Sequence, residues 1–248
     1  MTDAARLVWL SAEVVDVIPE SARARSIVLR VPGWSGHVPG QHVDVRLTAE
    51  DGYQAQRSYS IASSGVASVV LTVERIDEGE VSPYLTMEAR AGDLIELRGP
   101  IGGYFTWTAA ASGPLQLVAG GSGIVPLMSM LRHRADARTR PDTRLLCSWR
   151  TRDAMIYREE LERLKVGDPE LAILHTLTRE SPPGWTGARG RIDAGMMRAF
   201  CFPPAREPYV YVCGPTPFVE AVADVLLALG HPPARIKTER FGPTGEST

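Results

Sequence analysis

Scarcity narrows the choices first. The 248-residue chain has three cysteines, Cys147, Cys201 and Cys213, and no CxxC pair. Three thiolates cannot complete the four-ligand set of an ordinary iron–sulfur cluster, and an odd number argues against a disulfide framework. The five histidines are scattered without metal-ligand spacing, so no intrinsic metal is expected. Lysine is almost missing: Lys165 and Lys237 stand against a background of arginine. The formal net charge is only −2, leaving no long-range field to attract nucleic acid or an anionic membrane surface. No apolar run approaches the roughly 18 residues of a spanning helix. The opening MTDAARLVWLSAEVV carries an early acid, Asp3, and polar breaks at Ser11 and Glu13, unlike a signal peptide. A soluble cytoplasmic protein is expected, without nucleic-acid or membrane partners.

What is present divides into two grammars. LVWLSAEVVDVI, SIVLRV, QHVDVRL, RSYSIAS, SVVLTVER and DLIELRG are short, rich in Val, Ile and Leu, and separated by Gly, Pro or Asp turns. Six such runs in the first hundred or so residues predict a closed antiparallel barrel or a sandwich. SPYLTMEAR, residues 82–90, reads instead as a short helix with Ser82 as N-cap and Pro83 in the first helical position. Beyond GGYFTWTAAASGP, strand-like and helix-like stretches alternate: LQLVAGG, GIVPLMSMLRHRA, TRLLCSW, DAMIYREELERLK, LAILHTLT, DAGMMRAF, YVYVCG and TPFVEAVADVLLAL. Alternation of this kind predicts a parallel sheet with helices on both faces. The small-residue linker Ala109–Pro114 sets the expected division at residues 1–110 and 111–248.

Three stretches carry chemistry. RSYSIASS, residues 57–64, breaks the simple apolar-in, polar-out rhythm, with Arg57 and Tyr59 on one side of a strand and Ser60 on the other. VAGGSGIVP, residues 118–126, ends a strand on two glycines, adds a third at Gly123 and starts a helix. Such a turn lets a phosphate approach the backbone and meet the free N–H groups of a helix N-terminus, although GGxGxxP differs from the common GxGxxG spacing. In YVYVCGPTP, Cys213 closes a parallel strand at the sheet edge where α/β proteins bind ligands. A free cysteine is as readily a small buried hydrophobe.

Taken in order, RSYSIASS, GEVSPYL, GGSGIVP and VCGP, on a barrel followed by an α/β half, resemble the ferredoxin–NADP reductase family of flavoproteins over nearly the whole chain. The resemblance implies an FAD-binding β-barrel and an NAD(P)-binding domain. It puts Arg57 on the flavin diphosphate, Tyr59 against the isoalloxazine and Ser60 beside the flavin N5. Gly79, Val81 and Ser82 would give the second diphosphate contact, with Thr72 and Val73 lining the flavin. Two holds on a diphosphate favour FAD over the FMN of some relatives. Gly121, Ser122 and Gly123 would form the nucleotide phosphate loop, Ser122 between nicotinamide and flavin. Cys213, followed by Gly214, would lie near the nicotinamide C4. TERF resembles an acid two positions before a flavin-shielding aromatic, here Glu239 and Phe241, except that seven residues, GPTGEST, follow. Thr178 and Arg179, with Arg150, match the pattern for an adenosine 2′-phosphate and favour NADP(H), with NAD(H) as the alternative.

The implied reaction is hydride transfer from NADPH to FAD, a positioning problem solved at about 3–3.5 Å, with Ser60, Cys213 and Glu239 shaping the pocket. Electrons would then pass to a separate acceptor such as a ferredoxin, flavodoxin or oxygenase component, since no fused ferredoxin or haem domain is read in the chain. Two alternatives stand beside this: an NADH-dependent oxygenase reductase component, and a flavin-bearing subunit without nicotinamide turnover. The intact Gly121–Pro126 loop weighs against the latter.

Overall fold

The computed structural model describes residues 7–65, 68–138, 140–180 and 182–242. The expectation attached to the tail after Phe241 therefore falls, beyond Gly242, outside the described residues. Six strands form the first half: β1 (Leu10–Pro19), β2 (Ala24–Arg30), β3 (His42–Thr48), β4 (Gln54–Ser60), β5 (Val69–Glu74) and β6 (Leu94–Ile101). They pair antiparallel in the order β4-β3-β6-β1-β2-β5. Just past β4 the chain leaves β3 for β5. Ile61 bridges to Leu71, and the Ala62 amide donates to the Val70 carbonyl at 2.7 Å. The sheet thereby closes on itself, and the expected six-stranded barrel is present. Its interior is filled by the inward set of alternating residues, among them Ile27, Leu29, Val43, Val45, Leu71 and Val73.

The helical turn after β5 is wider than the sequence suggests. Residues 84–88 form a π-type turn, closed by the Ala89 N–H on the Tyr84 carbonyl, and Pro83 rather than Ser82 precedes it. No side chain caps it.

The second half is an all-parallel sheet in the order β10-β9-β8-β7-β11-β12. Its strands are β7 (Leu115–Gly120), β8 (Thr143–Trp149), β9 (Leu171–Leu177), β10 (Ala188–Arg189), β11 (Tyr209–Pro215) and β12 (Ile236–Phe241). Near-continuous apolar strands need cover on both faces. α1 (Ile124–Asp136) and α2 (Arg158–Val166) cover Leu117, Leu145 and Ile173 on one side. α3 (Ala194–Phe200) and α4 (Thr216–Ala228) cover Val118, Leu146 and Val212 on the other. The α1–α2 side also meets the barrel, because Ala24, Ala62, Phe105 and Trp107 belong to the same buried cluster.

DAMIYREELERLK begins as a 3-10 turn, Arg152–Ala154, and becomes α-helix only at Arg158. β12 carries the charged IKTERF and has a strand neighbour on one side only, so no apolar run announces it. Connections run from β7 to β8 and β9 in one direction, while β11 and β12 lie on the other side of β7. Loops leaving adjacent strands to opposite sides open a crevice at such a reversal. No helix of the described residues is long and apolar enough to cross a membrane.

Candidate functional site

The crevice between β7 and β11 is shaped by glycine. Gly121 has φ +54°, a conformation that a side chain disfavours, and starts the turn Gly121–Gly123 before α1. A Cβ on Gly123 would lie 2.1 Å from the Cys213 carbonyl oxygen and 2.7 Å from the Gly214 nitrogen. The loop is thus pressed onto the end of β11, and only hydrogen fits. Gly120 and Gly214 both abut the Phe218 ring, where an added Cβ would stand 2.7 Å from Cδ1. Ser122, between these glycines, is half-buried. Thr216, the first residue of α4, has a buried Oγ1 with no partner. It is a donor beside the glycine loop that the sequence reading missed, although a hydroxyl opening a helix just after a strand end is a legible signal.

Three residues singled out from three separate motifs converge beside this crevice. Cys213 and Glu239 are in register across β11 and β12. Ser60, the last residue of β4, lies on the barrel side close enough for its hydroxyl to act on the Glu239 carboxylate. Burial pushes Glu239 up to about 7, with the Ser60 hydroxyl pulling against that shift. Burial, reinforced by the Glu239 charge, drives the Cys213 thiol well above its ordinary range. Cys213 is therefore a neutral, packed thiol and no nucleophile. The crossing of the chain from β3 to β5 just after Ser60 lets a residue alternating away from Tyr59 still reach the junction.

Away from Ser60 toward the other end of β4, the mid-strand Arg57 guanidinium is exposed and pairs with Glu80 at 3.0 Å, and Glu80 also accepts from the Tyr53 phenol. The opposite face of β4 is pinned by Ser58, which donates to Asp44 at 2.6 Å, while Arg98 donates to the other Asp44 oxygen at 2.7 Å. Tyr59 packs partly against the barrel core, and burial raises its phenol pKa. A cavity of about 520 Å³ adjoins this end, lined by Arg46, Tyr53, Glu80, Tyr84 and Leu94 among others. Glu80 and Tyr53 were not anticipated; an acid inside the GEVS turn was the available sign.

At four other expected flavin contacts the side chains are engaged within the protein. Val73 and Val81 are 1% and 0% exposed within the barrel core, so their side chains line no surface. The Thr72 hydroxyl is turned to the other half, against Ser26 and Tyr157. Ser82 is neither N-cap nor outward donor: its hydroxyl accepts the Ile76 N–H at 3.1 Å and closes the loop containing Gly79. At these four positions only the backbone is on offer to a ligand. Phe241 ends β12 opposite Pro215 and is 38% exposed.

Arg150, Thr178 and Arg179 are neighbours at the ends of β8 and β9, where the Arg179 N–H donates to the Arg150 carbonyl at 2.9 Å. Both arginines are exposed. The Thr178 hydroxyl, expected as a free donor, is committed to the Trp149 carbonyl at 3.1 Å. Glu180 accepts the Arg152 N–H and adds an acid that the sequence reading passed over. Among the described residues, no group of three or more His, Cys, Asp or Glu could hold a metal.

Two family models match the chain: the oxidoreductase FAD-binding domain at residues 12–106 and the oxidoreductase NAD-binding domain at 117–224. The glycine betaine monooxygenase reductase subunit of Chromohalobacter salexigens is 34% identical over 83% of this chain and 56% of that protein. The chain therefore spans little more than half of that relative. NADH-cytochrome b5 reductase 1 of Aspergillus terreus is 32% identical over 79% of this chain and 68% of its own length. An Amycolatopsis cytochrome P450 reductase superposes with a TM-score of 0.83 at 25% identity, covering 99% of this chain and 74% of that one. The FAD- and NAD-binding domain of a Vibrio cholerae nitric oxide dioxygenase shares the fold, with a TM-score of 0.83 at 24% identity over 94% and 99% of the two chains. With one model on each half and a relative matched over two thirds of its length, the chain belongs to the ferredoxin–NADP reductase family of flavoprotein oxidoreductases.

Proposed function

We propose that this chain is a reductase that takes hydride from NAD(P)H onto FAD and passes the electrons to a separate acceptor, an oxygenase component or a small electron carrier such as a ferredoxin or flavodoxin. The observation that carries it is the meeting of Ser60, Glu239 and Cys213 where the barrel adjoins the β7–β11 crevice. Bound flavin supplies hydride acceptance and one-electron release. The residues present suit that group. Arg57 offers a guanidinium to a diphosphate, Tyr59 a half-buried ring, and the cavity beside Tyr53 and Glu80 leaves room for an adenosine, hence FAD over FMN. The glycine loop and the orphaned Thr216 hydroxyl suit the nicotinamide nucleotide's phosphates.

With the flavin bound, Ser60 and Glu239 would hold a proton beside it. With its pKa near 7, Glu239 can give or keep that proton around neutrality. Cys213, uncharged and buried, helps to exclude water. The exposed pair Arg150 and Arg179 favours NADPH through the 2′-phosphate charge. Glu180, held beside them on the Arg152 amide, is the observation that favours NADH as a second reading. We place the junction of the halves at residues 109–114. The cytoplasm, where thiols stay reduced, suits three free buried cysteines.

Anaerobic titration of the purified protein with NADPH and with NADH tests this. The visible flavin band should bleach stoichiometrically and return on adding an electron acceptor. A protein that binds neither FAD nor FMN, or whose flavin neither nucleotide reduces, overturns the reading.

A further inference from the structure

Away from Ser60 and Glu239, the two halves are joined by a circuit of polar groups, three buried and Glu20 half-buried, with no part in the chemistry above. The Ser26 hydroxyl donates to Glu20 Oε1 at 2.6 Å, and a carboxylate only accepts. With that proton committed, the 2.8 Å contact between Ser26 and Thr72 must run from Thr72 to Ser26. The Thr72 proton being used in turn, the Tyr157 phenol donates to Thr72. The circuit closes through the backbone N–H of the same Tyr157, 3.3 Å from Glu20 Oε2. The Ser26 and Thr72 hydroxyls each give and receive while the Tyr157 phenol gives, an arrangement in which buried hydrogen bonds polarise one another.

Tyr157 is the α/β half's whole contribution to this circuit. It is 2% exposed, leads into α2, and has φ +60°, a left-handed conformation that an aromatic residue keeps only when its surroundings impose it. Arg132 of α1 lies 5.1 Å from its ring centroid, pairs with Glu160 at 2.8 and 2.6 Å, and donates to the Ala62 carbonyl at 2.8 Å. β5 transmits what Tyr157 does. Thr72 and Glu74 project from the same face of that strand, roughly 7 Å apart. The Glu74 carboxylate comes within 4.0 Å of where a Cβ on Gly121 would be. The strand gripped by Tyr157 is therefore the strand that lies against the nucleotide loop.

We propose that Tyr157 is a positioning residue: by holding β5 through Thr72 it fixes the angle between barrel and α/β sheet, and so the fraction of time the nicotinamide spends within hydride-transfer reach of the flavin. The role rests on the reductase reading above.

The test uses the full chain loaded with FAD. Tyr157→Phe keeps the ring and its contact with Arg132 and deletes only the donor; Thr72→Val removes the acceptor from the other side at nearly constant volume. Rapid mixing with whichever nucleotide reduces the wild type gives two readouts. One is the limiting rate of flavin reduction; the other is the amplitude of the long-wavelength nicotinamide–flavin charge-transfer absorbance. Both should fall by about three- to tenfold in Tyr157→Phe, the weight of one net hydrogen bond. The FAD dissociation constant and half-saturating nucleotide should stay within about twofold of wild type. Thr72→Val also gives up its bond to Ser26, so it should fall at least as far, and the double variant should be no worse than Thr72→Val alone, since the Tyr157–Thr72 bond is already lost there. An unchanged rate and charge-transfer band in a variant of a reducible wild type overturns the proposal, as does a loss explained by released FAD, or additive singles. A wild type that neither nucleotide reduces overturns the reductase reading itself, and this role with it.

Discussion

Replacing Glu239 by glutamine should flatten part of the protein's pH–stability profile. Glu239 is shielded between β11 and the barrel, and its carboxyl is raised from 4.5 to about 7 by burial. A raised carboxyl pKa means that the folded protein holds the proton more tightly than the unfolded chain. Its contribution is therefore complete below the unfolded value and is lost as pH rises through the folded one. The affected window runs from 4.5 to about 7. Integrated across it, and discounted for residual solvent contact, the loss is roughly 2–3 kcal/mol. For a chain of this length that is roughly 4–12 °C in Tm. Glu239→Gln keeps the shape and cannot titrate. Melting curves on the two proteins should therefore diverge across the window, with the wild type losing stability relative to the variant as pH rises. Ser60→Ala should move the divergence to higher pH, because the nearby Ser60 hydroxyl pulls the carboxyl pKa down. A wild type–variant difference that stays flat from acid to neutral pH would refute the claim that burial dominates Glu239.

Gly123→Ala should raise half-saturating NAD(P)H by about five- to a hundredfold while FAD affinity stays put. The Cβ would meet the Cys213 carbonyl at 2.1 Å, and overpacking against backbone costs about 1–3 kcal/mol. Unchanged nucleotide saturation would show that the loop can shift freely. Arg57→Ala should weaken FAD retention by about ten- to a hundredfold, the weight of a charge-assisted hydrogen bond. Ultrafiltration of the yellow protein measures it, and wild-type retention removes Arg57 from the flavin site. Arg150→Ala together with Arg179→Ala should raise KM for NADPH far more than for NADH; equal effects dissolve the 2′-phosphate assignment.

The alternation of apolar residues in the first half and the alternation of strand and helix in the second were legible because each reflects one face against one core. All six barrel strands lie where those runs fall, and seven of the eight runs in the second half are the elements expected. The exception, DAMIYREELERLK, is broken by the left-handed turn at Tyr157, which its helical pattern does not reveal. β12 was readable only as the motif TERF, since a charged edge strand has no apolar signature. Ser60, Cys213 and Glu239 were each nameable from their motifs, but a sequence contains no distance between them.

Side-chain direction is where local reading stopped. Thr72 and Ser82 carry the same hydroxyl chemistry whichever way they point, yet one faces the α/β half and the other closes a loop. Thr178 likewise kept its donor capacity on paper while the structure commits it to Trp149. The sequence by itself determined the two layers of architecture and the glycines of the nucleotide loop, because periodicity and backbone freedom are local properties. Tertiary structure alone decided the pKa of Glu239 and the grip of Tyr157 on β5. Burial and hydrogen-bond partners come from residues more than eighty positions apart, and only the closed barrel docked on α1 and α2 brings them into contact.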